Sequence, residues 1–153
     1  MLIVYIDEMV LNGIFEHASH YGKNEAIGKL VGKPYIYPRL KYMFVTIWGY
    51  VPVESISTSI SVKYSSRAAE HLAKDLLEDY SEDMVVGWYH SHPRMGCFLS
   101  SRDVETQQRN YPEWYQCALV VDPYSNEFKF FEVDDEGYPT EIEYYVYRRK
   151  PGV

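Results

Sequence analysis

The sequence predicts an α/β or α+β layered domain built around a mixed sheet. Two observations carry that reading. Short β-rich runs alternate with helical stretches of 3.6-residue apolar period, and no linker or internal repeat divides them. The length of 153 residues suits one domain with a buried core of its own.

Leu2 to Ile6 reads as a short strand. Asp7 is placed to cap a helix running to about His20 or Tyr21, with Val10, Ile14, Ala18 and Tyr21 on one stripe. Gly22 is its expected C-cap. Glu25 to Val31 reads as a strand opened by a glutamate; Gly32 and Pro34 are expected to break it, and Pro38 to keep the next stretch irregular. Tyr42 to Val51 is rich in β-branched and aromatic residues and predicts a strand, and Ser57 to Val62 a shorter one. Ser66 to Tyr80 predicts a helix, with Ala69, Leu72, Ala73, Leu76, Leu77 and Tyr80 in register. Met84 to Ser91 returns to strand, and Pro93 to Leu99 is loop. A helix is expected from Ser100 to about Arg109, and a buried strand from Tyr115 to Val121. Phe128 to Val133 and Ile142 to Tyr147 complete the sheet, after turns at Asp122–Asn126 and Asp134–Gly137.

Composition excludes several functions. The formal net charge is −7, and the only basic cluster is Arg148-Arg149-Lys150, so nucleic acid is not an expected partner. No apolar run reaches membrane-spanning length, and no leader pattern opens the chain. The two cysteines, Cys97 and Cys117, form no C-x-x-C pair and point to a reduced, cytoplasmic setting. The 16 tyrosines suit core edges and sheet faces, and leave room for a wet binding surface or a homodimer contact.

The chemistry concentrates between His90 and Asp103. Side chains on a strand alternate faces, so His90 and His92 point the same way. Pro93 turns the chain, and Asp103 falls in the first turn of the next helix, able to fold back. Two imidazoles and a carboxylate, with a position left for water, make the ligand set of catalytic zinc. The bland alternatives are a pair of surface histidines and a Ser100-x-x-Asp103 capping box. The capping box accounts for the serine and aspartate but not for the histidines. A hydrolase also needs a base. The His-Glu-x-x-His motif is absent, and Glu25, at the mouth of an apolar strand, is the best candidate.

Other clusters carry less. Glu16, His17 and His20 share a helix without a third ligand at metal spacing, and His17 reads as a packing residue. His71 falls off its helix's stripe and reads as exposed. Gly28-x-x-x-Gly32-Lys33 lacks the spacing and hydroxyl residue of a phosphate loop. The His-x-Glu and Pro-Cys-x-x-Cys signature of zinc deaminases is missing.

Taken in order, Glu25-Ala-Ile-Gly-Lys-Leu-Val-Gly, His90-x-His92-Pro93, the Gly96-Cys97-Phe98-Leu99-Ser100 loop, Asp103 and Val120-Val121-Asp122-Pro123 resemble the JAMM/MPN+ zinc metalloprotease family, in its small single-domain prokaryotic form. The resemblance implies a three-layer α/β/α domain over residues 1–150, MPN/JAMM-like and cytidine-deaminase-like, with 151–153 as a terminal tail. It implies that His90, His92 and Asp103 hold Zn2+, that Glu25 handles the proton of the attacking water, and that Ser100 donates to the oxyanion. It implies cleavage of ubiquitin or ubiquitin-like protein conjugates at a lysine linkage, or of linear fusions. A non-catalytic scaffold or dimerisation module, and a zinc peptidase acting on short or precursor peptides, stand as the alternatives.

Overall fold

A computed structural model describes residues 2–53 and 85–148. The strand expected over 57–62, the helix over 66–80, His71 and the tail 151–153 lie outside the described residues. In chain order the elements are β1 (Leu2–Asp7), α1 (Glu8–Tyr21), β2 (Ile27–Tyr37), a 3-10 turn (Pro38–Leu40), β3 (Tyr42–Val53), β4 (Val85–Ser91), α2 (Ser101–Asn110), β5 (Cys117–Asp122), β6 (Glu127–Val133) and β7 (Pro139–Tyr147).

The strands pair in the order β1–β3–β2–β4–β5–β6–β7, and β7 returns to β1 to close a barrel. The pairs β1/β3, β1/β7 and β4/β5 are parallel; the rest are antiparallel. The mixed sheet matches expectation. The three-layer α/β/α arrangement is not established by the described residues. Helices lie on both faces, but the β1/β7 pairing rolls the sheet closed, and the described residues hold two helices only.

α1 forms for the reasons its sequence offers. The Asp7 carboxylate accepts from the Met9 backbone N–H at 2.9 Å, and Gly22 closes the last turn onto Ser19. Val10, Leu11, Ile14 and Ala18 are buried on one face of the sheet against Leu30, Val45, Ile47, Val86, Leu119 and Phe130. Full burial of each branched side chain contributes roughly 1.5–3 kcal/mol. α2 lies on the other face, where Ile27, Trp88, Ala118, Val120 and Phe131 form a second apolar cluster.

Two strand details differ from expectation. β2 runs through Gly32 and Pro34 instead of stopping at Val31. β4 pairs with β2 only over Ile27–Val31, so beyond that point, among the described residues, β2 has β3 alone as a neighbour. An edge position accepts proline without losing a ladder bond. Gly32 sits at a bulge, where a Cβ would lie 1.7 Å from the Thr46 carbonyl oxygen. Glu25, expected as the first strand residue, lies in the loop two residues before β2.

β4 carries a bulge that decides what faces the site. Leu30 pairs with Gly87 and Val31 with Val85, so Val86 is the extra residue. Gly87 has φ of 151°, and a Cβ there would meet the Cys117 carbonyl oxygen at 2.0 Å. The bulge reverses the alternation: Val86 packs toward α1, whereas Trp88 and, by alternation, His90 and His92 face α2. Among the described residues, no helix is long and apolar enough to cross a membrane.

Candidate metal centre and its cleft

β4 ends by presenting His90 and His92 to the start of α2. Both imidazoles are buried, at 1% and 3% exposure, and Asp103 is buried beside them. His90 Nε2 and His92 Nε2 lie 3.0 Å apart. Asp103 Oδ2 stands 3.1 Å from the first and 3.2 Å from the second. Tetrahedral zinc with bonds of ordinary length separates its ligands by about 3.3 Å. The triangle therefore matches in size as well as in donor type, and these three residues could hold a metal ion.

The same aspartate starts the helix. Ser100 is the N-cap of α2: its Oγ accepts from the Asp103 N–H at 3.2 Å, and its own N–H donates to Asp103 Oδ2 at 2.9 Å. The capping box and the ligand triangle are thus the same carboxylate, and the two sequence readings coexist. Burial pushes the Asp103 carboxyl up, but the bonds to His90 and His92 and the Ser100 N–H outweigh it and hold it well below the usual carboxylate range.

Glu25 joins from the far side of the chain. Ala26 N–H donates to Ser91 Oγ at 2.8 Å, and Ser91 N–H donates to the Ala26 carbonyl at 3.0 Å. This two-way clamp sets the segment before β2 against the end of β4. It brings Glu25 Oε1 to 3.7 Å from His92 Nε2. Burial raises the Glu25 carboxyl above its ordinary value, while His90 and His92 pull it back. Glu25, His90, Ser100 and Asp103 line one cleft of about 880 Å³, shared with Trp88, Met95 and Arg102.

The loop between histidines and helix is anchored by Asp122. Its Oδ1 accepts from the backbone N–H groups of Arg94 at 3.2 Å, Tyr124 at 3.0 Å and Ser125 at 3.4 Å. Arg94 lies over the Tyr124 ring at 4.3 Å, and Phe98 packs on His92 at 4.8 Å between centroids. Cys97 is half-buried, and burial, then the Glu127 and Asp122 carboxylates, push its thiol up to about 11. Such a thiol is a poor nucleophile.

All five residues picked from the sequence meet here. His17 does not: its Nδ1 bonds the Tyr89 hydroxyl at 2.8 Å on the opposite face, as a packing histidine. The sequence reading missed Ser91, Trp88 and Gln107. Trp88 shares a strand face with His90, and Gln107 sits one helical turn from Asp103, so periodicity carried a signal for both.

Fold and site together define a mixed-sheet domain with a candidate three-ligand metal centre in a cleft. The chain belongs to the JAB1/Mov34/MPN/PAD-1 ubiquitin protease family, whose model matches residues 1–112. It is 35% identical over 126 residues to COP9 signalosome complex subunit 5 of Candida albicans, covering 78% of this chain and 20% of that protein. It is 32% identical over 122 residues to the 26S proteasome regulatory subunit rpn11 of Schizosaccharomyces pombe, covering 78% of this chain and 38% of that protein. The chain spans about a fifth to two fifths of the length of these curated relatives. Among solved structures, protein DSY2949 from Desulfitobacterium hafniense shares the fold, with a TM-score of 0.63 at 17% identity over 97% of this chain and 95% of that one.

Proposed function

We propose that residues 1–150 form one zinc-dependent isopeptidase or peptidase domain of the JAMM type. In this reading it cleaves ubiquitin-like modifiers from lysine-linked conjugates or linear fusions, in a cytoplasmic setting that keeps Cys97 and Cys117 as thiols. The observation that carries the reading is the triangle of His90, His92 and Asp103, with the Glu25 carboxylate 3.7 Å from one corner and an open cleft in front.

His90, His92 and Asp103 hold the ion. Zinc, when bound, makes a water acidic near neutral pH and polarises the scissile carbonyl. Glu25 takes the proton from the attacking water at a carboxylate oxygen and delivers it to the departing lysine or backbone amine. Burial raises its affinity for a proton, the direction an acid–base carboxylate needs. Ser100 spends its oxygen lone pair on the Asp103 N–H and keeps its hydroxyl proton for the developing oxyanion. The extended tail of a modifier would lie along the cleft beside Met95 and Arg102.

The test pairs metal analysis with two substrates. The purified chain is expected to carry about one zinc per molecule. It should cut a ubiquitin-like protein joined through a lysine, or the same protein as a linear fusion, lose that activity to a chelator and regain it on adding zinc. His90→Ala should lose metal and cleavage together. A folded chain that binds no zinc and leaves both substrates whole would point to the scaffold reading. Cleavage confined to short peptides would point to a general peptidase.

A further inference from the structure

A histidine that holds a metal usually donates its second ring N–H to a carbonyl or carboxylate, which fixes the ring's direction. Here, among the described residues, no side chain or carbonyl bonds the buried His90 Nδ1 or His92 Nδ1. A contact on the face of the His90 ring can set its direction instead.

The face of that ring is covered by Trp88. The two rings stack with centroids 4.5 Å apart and planes 11° from parallel. Trp88 is itself held on two sides. Tyr111 stacks at 5.9 Å and 8°, and the indole Nε1–H donates to Gln107 Oε1 at 2.5 Å. Gln107 is 3% exposed, and its orientation is fixed by chemistry. The indole can only donate, so the amide oxygen must face it. The amide nitrogen then donates to the carbonyls of Gln116 at 2.9 Å and Tyr111 at 3.3 Å. Gln116 closes the chain: its Nε2 donates to the Val85 carbonyl at 2.9 Å, and its Oε1 accepts from Glu113 N–H at 3.1 Å. Every link is buried or half-buried, and each amide has its partners on both ends.

We propose that Trp88, locked by Gln107, is the positioning residue that aims His90 at the metal, an aromatic face standing where a hydrogen bond to Nδ1 would otherwise do so. The inference rests on the proposed function above, because it needs His90 to be a ligand. Trp88 lines the cleft but offers no ligand atom to an ion, so its role is assigned to its stack on His90. It acts by restricting the ring to the rotation in which Nε2 meets Asp103. Gln107 contributes from α2, the helix that also supplies Asp103, so the two ligands are referenced to one rigid element.

The test uses the full chain with Zn2+ and Co2+ as probes. Trp88→Leu removes the ring, Trp88→Phe keeps a stacking ring without the N–H, and Gln107→Met keeps the volume without the acceptor. Zinc affinity is measured by competition with a chelator, and coordination geometry by the visible absorption of the cobalt form. Trp88→Leu should weaken zinc by about 10- to 100-fold and alter the cobalt spectrum. Trp88→Phe should recover part of both. Gln107→Met should show the same changes at smaller size, with kcat lowered and KM unchanged. If Trp88→Leu does not fold, Trp88→Phe and Gln107→Met carry the test. Folded variants with the parent's zinc affinity and cobalt spectrum would overturn the inference while leaving the proposed function standing. A parent chain that binds no zinc would overturn both.

Discussion

Strand β4 serves two faces of one sheet, and the faces are held together by different means. Toward α1, Val86 and Tyr89 join a cluster of aliphatic and aromatic side chains that fit by shape. Toward α2, Trp88, His90 and His92 meet Asp103, Gln107 and Gln116, all buried and nearly all tied by directed bonds. The first face supplies burial energy through close packing. The second supplies direction and tolerates little. Damage on the first should appear as lost stability with chemistry intact, whereas damage on the second should reach the chemistry as well.

The sharpest break in that comparison is Glu25→Gln. The amide keeps shape and polarity but cannot take a proton, so turnover should fall by about 10²–10⁴-fold. Zinc content and thermal midpoint should match the parent. A variant that still cuts at near-parent rate removes Glu25 from the mechanism.

Leu119→Ala tests the other face. Leu119 is fully buried in the α1 cluster. Its truncation should cost about 2–5 kcal/mol in denaturant unfolding. The kcat of the protein that remains folded should be unchanged. A selective fall in kcat would show that the two faces are coupled.

The smallest effect is expected at Asp122, which anchors the loop between them. Burial pushes its carboxyl up, but three backbone N–H bonds prevail and hold it below its ordinary value. A group with a depressed folded pKa stabilises above its unfolded value of about 3.9 and loses that contribution on acidification. Asp122→Ala should therefore cost on the order of 1 kcal/mol near neutral pH. The gap between variant and parent should narrow as pH falls below 4 in a series of thermal melts. A gap independent of pH would mean the carboxylate charge is not what holds the loop.

Much of the site was legible because it is local. The His90-x-His92 alternation, the turn at Pro93 and the first helical turn at Asp103 all lie within one short stretch; period places the two histidines on a common side, and the short loop lets Asp103 fold back to them. Glu25 was harder. Its position depends on the Ala26–Ser91 clamp across 65 residues, and nothing in the segment itself announces that partner. The barrel closure was not legible either, since β1 and β7 join the two ends of the described chain and their pairing leaves no local mark. Pro34 misled for a related reason: proline is accepted where one side of a strand is unpaired, and among the described residues β2 has only β3 beside it there. The polar chain through Gln107 was missed because a glutamine one turn from an aspartate looks like solvated surface until the helix is docked.

The single extra residue at Val86 has a consequence larger than its size. A strand is a two-state ruler, and one added unit inverts everything beyond it. Without that unit, Val85 and the residues from Gly87 onward would follow one alternation, and either the start of the strand or its site-bearing end would face the other way. What the cleft can do is thus written partly as arithmetic: the parity of a count, rather than the identity of the groups counted.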